Sequence, residues 1–322
     1  MSPASVVTPT AAILSQIYDE TWPIWSDGID RGNYERFNRA QMSTPWGRTR
    51  LDRLALVDGD ILLASAKRYR LTLRVAGEDV ACLGIGAVFT PPDLRGRGHA
   101  AALIERMIED AAAEGAGIAL LFSEIDPAYY ARLGFEQVPI GEATLALRPQ
   151  KREGAPAILM RGGDDRDIDN IASMHEARAA RYAFSLARTP DYVRHAISKR
   201  RLLAAFGASG LRHVEYFITE EGGNAVAYIV VTRGPEGHVL EEWGDRDPTG
   251  ARVGAMLQVL VARTPAEGAV NLRTWLPVDF APPQLERIEE RPAAEAGMVR
   301  GIGRPAPRLD AADVFYLKAD AF

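Results

Sequence analysis

Two glycines and two arginines stand where an apolar run gives way to helix-like spacing, in Val88-Phe89-Thr90-Pro91-Pro92-Asp93-Leu94-Arg95-Gly96-Arg97-Gly98-His99-Ala100. The apolar run stops at two prolines, and the short loop after them opens straight into the helical pattern. Backbone N–H groups of such a loop converge on one spot, with the positive helix end and the arginine charge behind them. Glycine admits a ligand that a Cβ would hold off. These are the requirements for gripping a diphosphate, so a phosphorylated carrier is the expected ligand. A solvated turn or a basic contact to RNA is the plainer reading of the same residues; the strand before and the helix after weigh against it.

The flanking elements are legible from periodicity. A helix is expected around residues 10–22, where Ile13, Leu14, Ile17 and Tyr18 fall at helical spacing. A strand near 53–57 meets Asp58-Gly59-Asp60, a hairpin signal. On the returning strand Tyr69, Leu71, Leu73 and Val75 alternate with Arg68, Arg70, Thr72 and Arg74, and residues 80–90 read as a central strand. Beyond the loop, Leu103, Ile104, Met107, Ile108, Ala111 and Ala112 make an apolar helical stripe. A buried strand at 118–122, a short helix from Asp126-Pro127 to Gly134 and one or two strands over 135–147 complete the first half. Residues 148–156 are polar and rich in breakers, which places a boundary between domains 1–149 and 157–322. The second half repeats the order: a helix opened by Thr189-Pro190, strands at 214–219, 225–232 and 239–243, a helix at 251–261 and a strand at 270–275. A diverged internal duplication is the reading. The tail over 292–307 reads as irregular, with a last strand at 314–317.

The chain has 322 residues, enough for two domains, and 47% of them are apolar. A net charge of −5 excludes a general nucleic-acid binder. The lone cysteine, Cys82, lies in an apolar run and reads as core, so no disulfide framework and no cysteine zinc site is expected. The five histidines lack metal-ligand spacing, so no metal is expected. No apolar run reaches the ~20 residues that cross a bilayer, and the N-terminus lacks a signal pattern. A soluble cytoplasmic protein without membrane or nucleic-acid partners is the expectation, with homo-oligomerisation left open.

The order strand, loop, helix, strand, short helix, carrying Arg95-x-x-Gly98-x-Ala100 and then Tyr130-x-x-x-Gly134-Phe135, resembles the GNAT superfamily of N-acetyltransferases. The resemblance covers residues 57–138 well and the N-terminal region loosely. Within the superfamily, Gly84-Ile85-Gly86-Ala87-Val88-Phe89-Thr90-Pro91-Pro92 and Leu121-Phe122-Ser123-Glu124 are similar to the fungal lysine acetyltransferase group and its bacterial relatives. The Ser-Glu pair and the two-lobe layout are also similar to the enhanced-intracellular-survival type of aminoglycoside and protein acetyltransferase. The resemblance implies an α/β (α+β) fold of two tandem lobes, each a mixed, mostly antiparallel sheet flanked by helices.

It also implies acetyl-CoA as donor. Arg95, Gly96, Arg97, Gly98, His99 and Ala100 would then grip the diphosphate, and Val88, Phe89 and Thr90 the pantetheine arm. In the family the strands equivalent to 80–90 and 118–122 splay apart, and an N–H of Val88 or Phe89 would polarise the thioester carbonyl. Tyr130 is the implied proton donor to the departing thiolate, since a phenol with a pKa of ~10 is protonated at neutral pH. Tyr129 is its neighbour and rival. Ser123 stands where many relatives carry Asn, which implies a bond to the pantetheine arm. The base stays open among Glu124, Asp126, water and, by likeness to the survival-type relatives, the terminal carboxylate of Phe322.

The resulting expectation is direct acetyl transfer to a primary amine of a small molecule, lysine-like or polycationic. A protein N-acetyltransferase, and a non-catalytic acetyl-CoA sensor, are the alternatives. Plainer readings stand beside several residues: Tyr130 as a packed aromatic, Glu124 as a solvated strand end, and Trp22, Trp25 and Trp46 as a satellite core rather than an acceptor pocket. In the second half, Gly244-Asp245-Arg246-Asp247-Pro248-Thr249-Gly250 replaces basic character by carboxylates, so no coenzyme is expected there. Glu241 and Glu242 beside Trp243 read either as recognising a cationic acceptor or as a solvated strand edge.

Overall fold

The structure, a computed structural model, describes residues 4–148, 158–208, 210–234, 237–263 and 270–322. In the first half β1 (Ser5–Val7) and helices α1 (Ala11–Trp25), α2 (Arg31–Ser43) and α3 (Gly47–Arg50) lead into β2 (Leu51–Asp58), β3 (Ile61–Val75) and β4 (Glu78–Phe89). Helix α4 (His99–Ala113) crosses to β5 (Ile118–Ser123), followed by α5 (Ala128–Ala131), β6 (Glu136–Gln137) and β7 (Gly141–Leu147). The second half begins with β8 (Met160–Gly162), α6 (Ile168–Ala179), β9 (Phe184–Leu186) and α7 (Pro190–Phe206). Strands β10 (His213–Glu221), β11 (Asn224–Gly234) and β12 (Gly237–Asp245) come next. Helix α8 (Ala251–Arg263), β13 (Asn271–Trp275), β14 (Leu285–Pro292), β15 (Ala296–Gly301) and β16 (Val314–Phe315) close the chain.

Local chemistry accounts for the boundaries. The Thr10 hydroxyl accepts from the Ile13 N–H at 3.3 Å and opens α1, whose Ile13 and Ile17 are buried. Thr189 caps α7 at the Tyr192 N–H, also at 3.3 Å, and Pro190 occupies the first position, where its missing donor costs nothing. Gly59, at φ +58°, makes the β2–β3 hairpin turn. Leu103, Ile104 and Met107 of α4 pack against Ile85 and Leu121 of the sheet, the stripe expected from spacing.

Two sheets result. The first runs β1-β2-β3-β4-β5-β15-β6, with β9 and β16 attached beside β3, and the second β14-β7-β13-β12-β11-β10-β8. Antiparallel β2-β3-β4, crossover α4 and parallel β5 recur as antiparallel β10-β11-β12, crossover α8 and parallel β13. This repeat is the expected duplication.

The sheets do not respect the boundary between 1–149 and 157–322. Strand β7 of the first half pairs with β13, and β15 of the second half pairs with β5. Each sheet is thus completed by a strand from the other half. Of the breaker-rich stretch at 148–156, residues 149–156 lie outside the described residues. The tail over 292–307 is corrected, because β15 sits inside the first sheet with Met298 and Val299 buried. Glycines at both sides of this short strand had hidden it.

A second correction concerns Glu241, Glu242 and Trp243, which form no solvated edge: β12 is interior and all three are buried. Between the halves, α2 packs on α7 through Tyr34, Phe37 and Leu203.

Candidate active site

At the end of β4 the chain makes a short turn over Pro92–Leu94, and the loop residues Gly96 and Gly98 take φ of +75° and +81°. Gly98 caps α4 without a side chain. The first helical bond runs from the Ala102 N–H to the Gly98 carbonyl at 2.9 Å, so the N–H groups of residues 96–101 have no main-chain acceptor. Nothing lies within 4 Å of where a Cβ on either glycine would be, and the space in front of these donors is open. Arg95 and Arg97 are exposed and bond only to main-chain oxygens, of Thr90 at 3.3 Å and Asp93 at 3.2 Å. His99 begins the helix and contributes its backbone. The donor set fits an anion of the size of a diphosphate.

From this loop β4 leads inward and leaves β5. Their parallel pairing ends at Ile85↔Leu121. On the other side β3 pairs Lys67 with Gly86 and then Ser65 with Phe89, so Ala87 and Val88 form a bulge. Ala87 has φ +47°, unusual for a residue with a Cβ, and is held there by ladders on both sides of the bulge. The strands therefore part beyond Ile85, leaving the edge of Val88–Phe89 facing the gap.

A cavity of ≈250 Å³ opens at the parting, bounded by Gly86, Val88, Ser123, Glu124, Tyr130 and Phe322. Tyr130, held in α5 between Tyr129 and Phe135, is 7% exposed. Burial, and secondarily Tyr129, pushes its phenol up to about 12. Tyr129 does not line the cavity. Ser123 is buried and its hydroxyl already donates to the Ile125 carbonyl at 2.9 Å, which curls the strand end back on itself. Glu124 is exposed at the rim, and Asp126 is occupied elsewhere: its Oδ1 caps α5 at the Ala128 N–H, 2.9 Å away.

The opposite wall is made by Phe322. A Cβ on Gly84 would lie 2.8 Å from Phe322 Cζ, and one on Gly86 would lie 3.2 Å from a terminal carboxylate oxygen of Phe322. The glycine pair is the hollow into which Phe322 fits, with Tyr69 stacked at 4.4 Å between ring centroids. Lys199 of α7 donates to the Ala321 carbonyl at 3.2 Å and holds the same end. The cavity continues into one of ≈350 Å³ that reaches Arg200 and Glu241 in the second half.

Lys67, Tyr69 and Lys199 were not singled out from the sequence. The signal was present for Lys67, two residues before Tyr69 and so on the apolar face of an alternating strand. Trp22 and Trp25 pack against one small cluster around Tyr18, Tyr34 and Leu203, with Trp25 also lining the cavity, whereas Trp46 lies apart on Tyr192 and His195. Cys82 is buried in the core.

The equivalent loop of the second half is filled by its own acids. Asp245 accepts from the Asp247 and Arg252 N–H groups at 2.8 and 3.0 Å and pairs with the Arg252 guanidinium at 3.1 Å. Asp247 in turn accepts from the Thr249 N–H at 2.9 Å. Carboxylates thus stand where the first loop leaves its donors open.

Residues 32–138 match the family model of the acetyltransferase (GNAT) domain. A comparison with curated proteins finds no match. Solved structures share the whole fold. A probable N-acyltransferase from Enterococcus faecalis superposes with a TM-score of 0.70 at 13% identity, over 94% of this chain and 73% of that one. Eis1 from Mycobacterium abscessus gives 0.59 at 16%, over 93% and 73%. The Saccharomyces cerevisiae N-myristoyltransferase, solved with myristoyl-CoA, gives 0.54 at 12%, over 93% and 83%. Residues 32–138 are therefore similar to the acetyltransferase (GNAT) domain, within a two-sheet fold that these solved structures share along nearly the whole chain.

Proposed function

We propose that the cavity is the active site of an acetyl-CoA-dependent N-acetyltransferase that acetylates a primary amine of a small molecule by direct attack. The observation that carries this reading is the parting of β4 from β5 beyond Ile85↔Leu121, with open N–H donors at one end and Tyr130 with the Phe322 carboxylate at the other. In this reading residues 95–100 bind the diphosphate, and the Val88–Phe89 edge takes the pantetheine arm. An N–H of the bulge donates to the thioester oxygen as charge grows there.

The terminal carboxylate of Phe322, rather than Asp126, takes the proton of the attacking amine, because Asp126 is committed to capping α5. As the new N–C bond forms and the C–S bond breaks, Tyr130 gives its proton to sulfur. Ser123, with its hydroxyl engaged by Ile125, orients the strand end, and Glu124 serves the rim.

A small acceptor is favoured over a protein by the cavity's walls, which close around it from α1, α2, α7 and the C-terminus. The test is thiol release from acetyl-CoA over a panel of amines, with Tyr130→Phe beside the unaltered protein. Turnover that Tyr130→Phe lowers by ~10²–10⁴-fold is expected. Coenzyme binding with no turnover of any amine would make the protein a sensor instead.

A further inference from the structure

The inner wall of the cavity is basic. Lys67 on β3 stands opposite Gly86 on one side and in register with Arg53 of β2 on the other. Like charges directly across a ladder repel, and this arrangement persists without a carboxylate between them. Arg53 is 3% exposed and neither of its terminal guanidinium nitrogens has a hydrogen-bond partner among the described residues. Burial holds its guanidinium below its ordinary range, and the neutral phenols of Tyr18, Tyr34 and Tyr69 are its titratable neighbours.

Lys67 makes no ion pair among the described residues, and it lines the cavity together with Lys199. Burial, then Arg53 and Lys199, hold the Lys67 ammonium well below its ordinary range. Lys199 is lowered to about 8, by burial first and by Arg200 second.

The acids nearby do not neutralise this wall. Glu124 and Asp27 are exposed at the rim, and Glu241 is tied to Arg200 at 3.2 Å and to Thr232 at 2.8 Å. The Phe322 carboxylate lines the cavity with Lys67 and Lys199, and Arg53 stands behind Lys67 on β2. A buried cation such as Arg53 is retained at a cost, and the half-buried Lys67 and Lys199 beside it gain most from a ligand that supplies counter-charge.

Resting on the acetyltransferase reading above, we propose that the acceptor is an amine that also bears an acidic group, as an amino acid does. Lys67 and Lys199 take the acid, and the Phe322 carboxylate faces the amine. A polycationic acceptor would instead set its further ammonium groups against two lysines, so of the two acceptors expected from sequence the lysine-like one fits.

The experiment compares amino acids with their carboxamides and with the amines left after decarboxylation, by kcat/KM for thiol release. Alongside it, glutarate, which cannot be acetylated, is titrated into the protein by calorimetry. The acid-bearing acceptors should be preferred by about ten- to a hundredfold, the worth of a charge-assisted pair. Lys67→Met should bring that ratio near one and abolish glutarate binding, while Lys67→Arg keeps both. Equal or better use of carboxamides or decarboxylated amines overturns the assignment. So does the absence of glutarate binding to the unaltered protein, whether or not any amine reacts. Glutarate binding that depends on Lys67, with no thiol release from any acceptor, would leave the anion site standing and bring down the acetyltransferase reading alone.

Discussion

Gly84 and Phe322 are in contact so close that a Cβ on the glycine would lie 2.8 Å from the phenyl Cζ. The last residue of the chain is thereby seated on the sheet that carries the parted strands, and its carboxylate is delivered beside Gly86. Gly86→Ala tests the arrangement with the smaller disturbance, because its methyl would meet Tyr69 Cε2 at 3.0 Å and the terminal oxygen at 3.2 Å. A shift of the carboxylate by a few tenths of an ångström is the expected response. Turnover should fall by about tenfold or more, while coenzyme affinity, set at the far end of the gap, stays the same. Steady-state kinetics with a coenzyme titration separate the two. Unaltered turnover would place the terminus outside the chemistry.

The terminus is anchored by charge. Arg188 lies 2.8 Å from Glu242 and 3.4 Å from Asp320, and none of the three side chains reaches solvent. The guanidinium nitrogens lack aligned hydrogen bonds, so the attraction is ionic. Burial pushes both carboxyls up, and Arg188 counteracts it. Arg188 is the cation that acts most strongly on both acids, so Arg188→Met should cost ~3–5 kcal/mol. Asp320→Asn should cost less, because Glu242 still balances the guanidinium. Denaturant unfolding of both variants gives the comparison, and equal losses would refute an ionic anchor.

Much of this was readable in the residues, and what was not has physical reasons. The Arg/Gly loop and the Tyr130 motif are local, since spacing and turn chemistry act within a dozen residues: the loop opens the helix that follows it, and Tyr130 lines the cavity. The exchange of β7 and β15 is a choice of partner, and no period within Gly141–Leu147 or Ala296–Gly301 encodes which sheet each joins. Glu241 and Glu242 looked like surface residues because their counter-ions, Arg200 and Arg188, lie far away in sequence. The function of Gly84 and Gly86 was hidden for the same reason: the residue that needs their missing side chains is the last in the chain.

Tyr130 bears on the pH profile. Its phenol is raised to about 12, chiefly by burial, and so stays protonated throughout the neutral and mildly alkaline range. With the acceptor saturating, kcat should therefore climb as the acceptor amine loses its proton and hold level to about pH 10, with no descending limb that belongs to Tyr130. Tyr130→Phe should lower the whole curve and leave its ascending midpoint in place. A fall centred near pH 9 that disappears in Tyr130→Phe would show that the hydroxyl ionises in the working range, contrary to its buried setting.

Two buried histidines set the acid limit of the fold. His175 stacks on Phe315 at 5.1 Å and shares a bond with the Leu186 carbonyl, while His195 bonds through Nδ1 to the Thr44 hydroxyl at 2.9 Å. Burial lowers both from 6.5 to about 3, aided by Arg188 for His175 and by Lys199 and Lys67 for His195. Folded-state values below the unfolded ones mean that the unfolded chain binds more protons in acid. The stability these neutral rings contribute is complete above pH ~6.5 and is lost as pH falls towards 3. Each should withdraw about 1.4 kcal/mol per pH unit within that window. His195→Gln removes one titrating ring but keeps a polar partner for Thr44. The decline of Tm between pH 6.5 and 4 should become shallower in that variant. An identical slope would mean that His195 gains its proton without unfolding, through a cavity that water already reaches.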